Sequence, residues 1–180
     1  MKNIFLAIAL LFSFAANAQV SKVNLQASGL TCSMCSNAIN KALKSLDYVD
    51  KVYANIKNSS FDISFKPNAK VNFDELKKKV EGAGFSVAKL SATVHFSNQA
   101  IAPDQHVNID GMAIHFLNVK SQTLNGDKVL QVVDRGYVSA KAFKTNELFT
   151  TMQCYKTGVA GSCCTKDGLA AGTRIFHVTI

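Results

Sequence analysis

Between positions 22 and 90 the apolar residues switch between a period of two and a helical period, the mark of strands interleaved with helices. Val23-Asn24-Leu25-Gln26-Ala27 alternates apolar and polar side chains and predicts a half-buried strand. Ala38, Ile39, Ala42, Leu43 and Leu46 then recur at helical spacing, with Asn40, Lys41 and Lys44 on the opposite face. Residues 49–56 and 61–65 read as two strands joined by the turn-forming Lys57-Asn58-Ser59-Ser60. Asn72 is a natural N-cap for a second helix marked by Phe73, Leu76 and Val80 and ended by Gly82 and Gly84. Phe85-Ser86-Val87-Ala88 supplies a last strand. The order is βαββαβ, the split βαβ or ferredoxin-like arrangement.

Beyond Leu90 the helical period fades. Residues 91–96, 113–120, 129–133, 137–140 and 174–180 have strand character, and 144–148 fits a short helix or turn. Asn125-Gly126-Asp127 is a strong hairpin signal. Short strands around a tight turn predict a small, mostly-β domain, a barrel or sandwich with the OB-like form among the options. Ser97-Asn98-Gln99-Ala100 and Pro103-Asp104-Gln105 form the polar connection into it. The expected class is therefore α+β, with a ferredoxin-like domain over 19–90 and a β-rich domain over 91–180.

Residues 1–18 have a different grammar. Lys2 precedes an apolar run over 4–14 broken only by Ser13, and Ala16-Asn17-Ala18 is a small-x-small cleavage site. This predicts a signal peptide and export, to a periplasm, of a mature chain of about 160 residues beginning at Gln19. The run is too short to span a bilayer and no later segment replaces it, so no membrane insertion is expected. Lys2 is the only charge removed, so the formal net charge falls from +8 to +7. The scattered lysines, and export itself, argue against nucleic acid; the excess fits solubility or docking of a partner.

Chemistry concentrates in the cysteines. There are five, an odd number for an oxidising compartment, so at least one is free, metal-bound or intermolecular. Cys32 and Cys35 stand two residues apart where the first strand's loop meets the first helix. A thiolate there gains from the free amides and dipole of the helix start, and two sulfurs can converge on one thiophilic ion.

Gly29-Leu30-Thr31-Cys32-x-x-Cys35 and Gly82-Ala83-Gly84-Phe85, in this order of elements, resemble the heavy-metal-associated domain family over roughly residues 22–90. Copper chaperones, the amino-terminal modules of copper ATPases and periplasmic mercury-binding proteins share that family's fold. Leu30 departs from the family's usual Met, a side chain that packs inward. The resemblance implies Cys32 and Cys35 as ligands of Cu(I), with Hg(II) or Ag(I) also acceptable, and an open coordination position for transfer to a partner. It also implies that Phe85 lies beside the metal loop, where ordinary core packing is the competing role, and that Thr31 supports the loop backbone. A membrane metal transporter or ATPase is the implied partner. Met34 reads as an exposed residue.

Other uses of the pair remain open. A thioredoxin-like dithiol lacks support, because the chain has no Trp and its two prolines, Pro67 and Pro103, are not placed to help. Structural zinc would need two further ligands that the first unit lacks. A plain Cys32–Cys35 disulfide is the strongest rival, and could also be the resting form of a metal site.

A second cluster is Cys154 with Cys163 and Cys164. Either Cys154 bridges to one of the pair and closes a Gly-rich loop, or the three form a second thiolate site assisted by His177 or Met152. His95, His106 and His115 lack a ligand spacing and read as strand-face or surface residues. No nucleophile–base pair, metal-His motif or phosphate loop is visible. The sequence thus supports an exported, non-enzymatic metal-binding protein, with mercury detoxification, a docking adaptor and a thiol–disulfide oxidoreductase as alternatives.

Overall fold

A computed structural model describes residues 18–30 and 33–180. The expected signal sequence lies outside these residues, apart from Ala18. The first half realises the predicted order. Strand β1 (Gln19–Ser28) leads to helix α1 (Ser33–Lys44), and β2 (Val49–Asn55) is followed by a 3-10 turn and β3 (Ser60–Phe65). Helix α2 (Phe73–Gly82) and β4 (Ser86–Ile101) complete the unit.

Local chemistry explains these elements. Val23, Leu25 and Ala27 point inward along β1 and are buried. Ile39 and Leu43 of α1, and Phe73, Leu76 and Val80 of α2, join them in one apolar core. The Asn72 side chain accepts from the amides of Asp74 and Glu75, capping α2 as predicted. Asp74 and Glu75 then place negative charge at the helix's positive end.

The second half does not close into a barrel or sandwich of its own. β5 (His106–Ile109), β6 (Met112–Phe116), β7 (Gln122–Val132) and β8 (Ile175–Thr179) extend the first unit's sheet, in the order β2-β3-β1-β4-β7-β8-β6-β5. β4 runs through the expected boundary near Leu90, pairing with β1 on one flank and β7 on the other. Ser97 to Ala100, expected to form part of the polar connection, belong to this strand. All pairs are antiparallel except β6–β8.

The expected hairpin lies elsewhere. Asn125-Gly126-Asp127 is not a hairpin but an irregularity inside β7. There the pairing with β4 slips between Phe96 and Gln99, and Asn98 and Gly126 take positive φ of 52° and 67°. The Asn98 amide donates to Asn125 Oδ1 and Asn125 Nδ2 to Asn98 Oδ1, each at 2.7 Å, which stabilises the bulge. The two-residue hairpin is instead Asp110-Gly111, joining β5 to β6 with φ of 54° and 83°. Tyr137 to Ala140, expected as a strand, is instead a turn over Tyr137 to Ser139 followed by the first residue of a helix. Tyr137 bonds back to the Asp134 carbonyl, and Ser139 caps helix α3 (Ala140–Glu147).

The sheet's second half is covered on both faces. Ile114, Phe116, Phe176 and Val178 face the main core, while Ala113 and Ile175 face a second apolar cluster with Cys154, Ala160 and Cys164. Helix α3, the short helix α4 (Cys154–Thr157) and a 3-10 segment (Ser162–Asp167) carry that second layer. Among the described residues no helix is long and apolar enough to cross a membrane.

Candidate functional site: a loop cysteine and a buried histidine–cysteine cluster

β1 ends at Gly29, whose φ of +80° turns the chain out of the sheet, and Leu30 packs back onto the core. Cys35 lies in the first turn of α1, half-buried, and is engaged in a disulfide. The other three described cysteines are free, and Thr31 and Cys32 lie outside the described residues. Ser28 pairs with Ser86, so Gly84-Phe85 leaves the sheet at the same end as Gly29-Leu30. Phe85 packs partly buried against the core, and Met34 is 82% exposed.

A second constellation sits on the far half of the sheet. The Asp110-Gly111 hairpin sets His106 opposite His115, and the parallel β6–β8 pairing sets His115 beside His177. Three imidazoles thus form a row on one face, with ring centroids 4.6 and 5.0 Å apart. All three are buried. Each has one ring nitrogen on a carboxylate: His106 Nδ1 on Asp167 at 2.5 Å, His115 Nε2 on Asp104 at 3.1 Å, His177 Nδ1 on Asp134 at 2.6 Å. A carboxylate only accepts, so these nitrogens carry the protons and the opposite ones keep lone pairs when the rings are neutral.

The free nitrogens of His106 and His115 both face Cys154. Its Sγ lies 3.7 Å from His106 Nε2 and 3.7 Å from His115 Nδ1. Cys154 also stands within 4.8 Å of the sulfurs of Cys163 and Cys164, which are 3.4 Å from one another. His177 Nε2 is buried with no hydrogen-bond partner.

Electrostatics match this enclosure. Burial, helped by the neighbouring His177 and His106, pushes His115 down to about 3 and keeps it neutral. Burial likewise pushes the Cys154 thiol well above its usual range, with Cys164 and Cys163 adding to the effect. Burial would also raise Cys163, but hydrogen bonds from Cys164 and the backbone of Cys154 and Gln153 outweigh it and lower that thiol.

Of the sequence-predicted second-site residues, Cys154, Cys163 and Cys164 come together, but as free thiols. The bridge from Cys154 to either neighbour is absent. His177 joins the histidine row while its Nδ1 is taken by Asp134. Met152 packs beside the cluster. His106 and His115, set aside as strand-face residues, are the two that face the Cys154 sulfur. Only His95 is a surface residue, paired with Asp127 at 2.7 Å. The missed signal was the Asp-Gly turn between His106 and His115, which fixes their register.

Residues 24–86 match the family described as "Heavy-metal-associated domain". Similar curated proteins include a copper-transporting ATPase of Helicobacter pylori, 38% identical over 64 residues, covering 36% of this chain and 8% of the ATPase. A copper-exporting P-type ATPase of Staphylococcus saprophyticus is 34% identical over 71 residues, covering 39% of this chain and 9% of that protein. This chain therefore spans under a tenth of the length of either relative. Among solved structures, oxidised MerP from Ralstonia metallidurans CH34 is 30% identical, covering 38% of this chain and 96% of that one, with a TM-score of 0.34.

Proposed function

Residues 24–86 belong to the heavy-metal-associated domain family, and on that premise we propose that the protein captures Cu(I) through Cys32 and Cys35 and hands it to a partner. The observation that carries this reading is Cys35, thiol chemistry held at the start of α1 in a domain of that family. Copper is favoured over mercury and silver by the ATPases, whose names specify copper. The disulfide at Cys35 is then the resting form. A dithiol reductant delivers two electrons and two protons to the S–S bond, and Cu(I) displaces the protons from the two thiols. The amides of the helix start stabilise the sulfur that remains negatively charged.

Two thiolates leave room at the ion for a third sulfur from the acceptor, so the ion can pass by ligand exchange rather than by dissociation into water. The acceptor in this scheme is a membrane copper transporter or ATPase, and the compartment is the periplasm, reached by the signal sequence. The chain's own role is binding and transfer rather than catalysis. After mild reduction, one equivalent of Cu(I) should protect both loop thiols from alkylation, and Cys32→Ser/Cys35→Ser should lose that equivalent. Binding without thiol protection would refute the loop as the site.

A further inference from the structure

We propose that His106, His115 and Cys154 form a second metal site, which binds one copper(I) ion through two imidazole nitrogens and one thiolate. This goes beyond the transfer loop, shares no residue with it and stands on separate observations.

The first is a mismatch between protons and lone pairs. The His106 and His115 nitrogens facing Cys154 have their ring partners committed to Asp167 and Asp104. Both therefore present lone pairs to one sulfur. A thiol has one proton and satisfies one of them. A cation satisfies all three donors at once, releasing the thiol proton to solvent as the metal–sulfur bond forms. His177, next in the row, adds a buried nitrogen that no protein hydrogen bond satisfies. The pocket thus holds more lone pairs than its own protons cover.

The second is distance. A metal with bonds of about 2.3 Å to sulfur and 2.0–2.1 Å to nitrogen holds those ligand atoms roughly 3.6–3.8 Å apart, for angles between tetrahedral and trigonal. Both sulfur–nitrogen separations are 3.7 Å, and all three donors lie within 4.8 Å of one another. Each sulfur–nitrogen pair is already spaced as it would be around an ion.

The third is support. The carboxylates of Asp167 and Asp104 orient the rings and fix their tautomers, the arrangement that commonly backs a metal-bound histidine. Donor type and number then select the ion. Thiolate and imidazole together suit copper and zinc, but structural zinc closes with four protein ligands. Here three donors meet in a buried pocket, and Cys163 and Cys164 fall outside the set that contains both histidines. Three donors including one thiolate fit a soft monovalent ion. Cys163, half-buried and within 4.8 Å of Cys154, offers a sulfur through which the ion reaches the pocket.

The test uses the full chain carrying Cys32→Ser/Cys35→Ser, which removes the loop and leaves the core untouched. Copper(I) is added anaerobically as its acetonitrile complex. One tightly held equivalent is expected, where the wild type after reduction holds two. Copper-edge X-ray absorption should show one sulfur and two imidazole nitrogens. Retention of no copper by this variant overturns the proposal, while one equivalent in the wild type keeps the loop reading intact. A sulfur-only spectrum also overturns it, by moving the ion to Cys154, Cys163 and Cys164. So does a pocket that takes zinc(II) and leaves copper(I) in solution. Cys154→Ser in the wild type should cut two equivalents to one. If that core substitution unfolds the chain, the absorption measurement still decides.

Discussion

Arg174 donates through Nε to the carboxylate of Asp74 at 2.7 Å, across 100 positions of sequence. The same guanidinium reaches Asp134 at 3.1 Å, bonds to the Gly158 and Ile175 carbonyls, and lies over the Phe176 ring at 4.2 Å. It fastens the first turn of α2 to the edge of β8. Phe73 reinforces the joint edge-on against Phe176 at 5.1 Å, and Tyr137 donates to Asp74 at 2.7 Å. Arg174→Ala would leave the Asp134 carboxylate, 5% exposed, without its cation. It should destabilise the chain by about 2–3 kcal/mol, read from the denaturant midpoint. Arg174→Lys should recover only part, because an ammonium cannot span both carboxylates.

The same joint gives an acid-sensitive stability. Burial would raise the Asp74 carboxyl, but the hydrogen bond from Arg174, then that from Tyr137, outweighs it and lowers the group below its ordinary value. The unfolded chain therefore binds that proton more tightly than the folded one. The stabilisation is fully present above about pH 4 and is lost as pH falls through the folded value. Denaturant midpoints measured from pH 6 to pH 2 should drop in the wild type. In Asp74→Asn the drop should be smaller, starting from a lower plateau.

Gly111 sets the register on which the histidine row depends. Its φ is +83° and a Cβ there would meet no atom within 4 Å, so substitution strains only the backbone. Gly111→Ala should cost about 1–2 kcal/mol and weaken copper binding to the buried cluster. Asp110→Asn places another residue tolerant of left-handed backbone beside it, and should leave both properties near wild type. Copper competition titrations on the loop-disabled chain would separate the two.

Among the free thiols, Cys163 should react first. It is the half-buried member of its group, and hydrogen bonding lowers it, whereas Cys154 and Cys164 are buried and raised. Brief iodoacetamide treatment of the native, unreduced protein, followed by peptide mass spectrometry, should place the label on Cys163. Equal labelling of all three would show that the second layer opens readily.

The first half was legible because each element there has one wet face. Val23, Leu25 and Ala27 alternate with polar neighbours, and Asn72 announces the start of α2 in its own side chain. The second half hides its plan. β6 and β8 are covered on both faces, so Ala113 to Phe116 and Ile175 to Val178 show no alternation to read. Asn125-Gly126 carries the stronger turn signature, yet β4 is long enough to pair along both sides of it. The weaker Asp110-Gly111 makes the turn. The histidine cluster depends on that choice, and on a parallel pairing that no local pattern encodes. Cys154 meets His106 and His115 from 48 and 39 positions away.

Because β4 is hydrogen-bonded on both flanks, neither half can melt without stripping the other of a strand. A ligand that favours the native form at one end therefore defends the whole molecule, raising the temperature and protease dose it survives. Cargo held in the loop would protect the histidine pocket against digestion, and an ion in the pocket would do the same for the loop, with no signal passing between them.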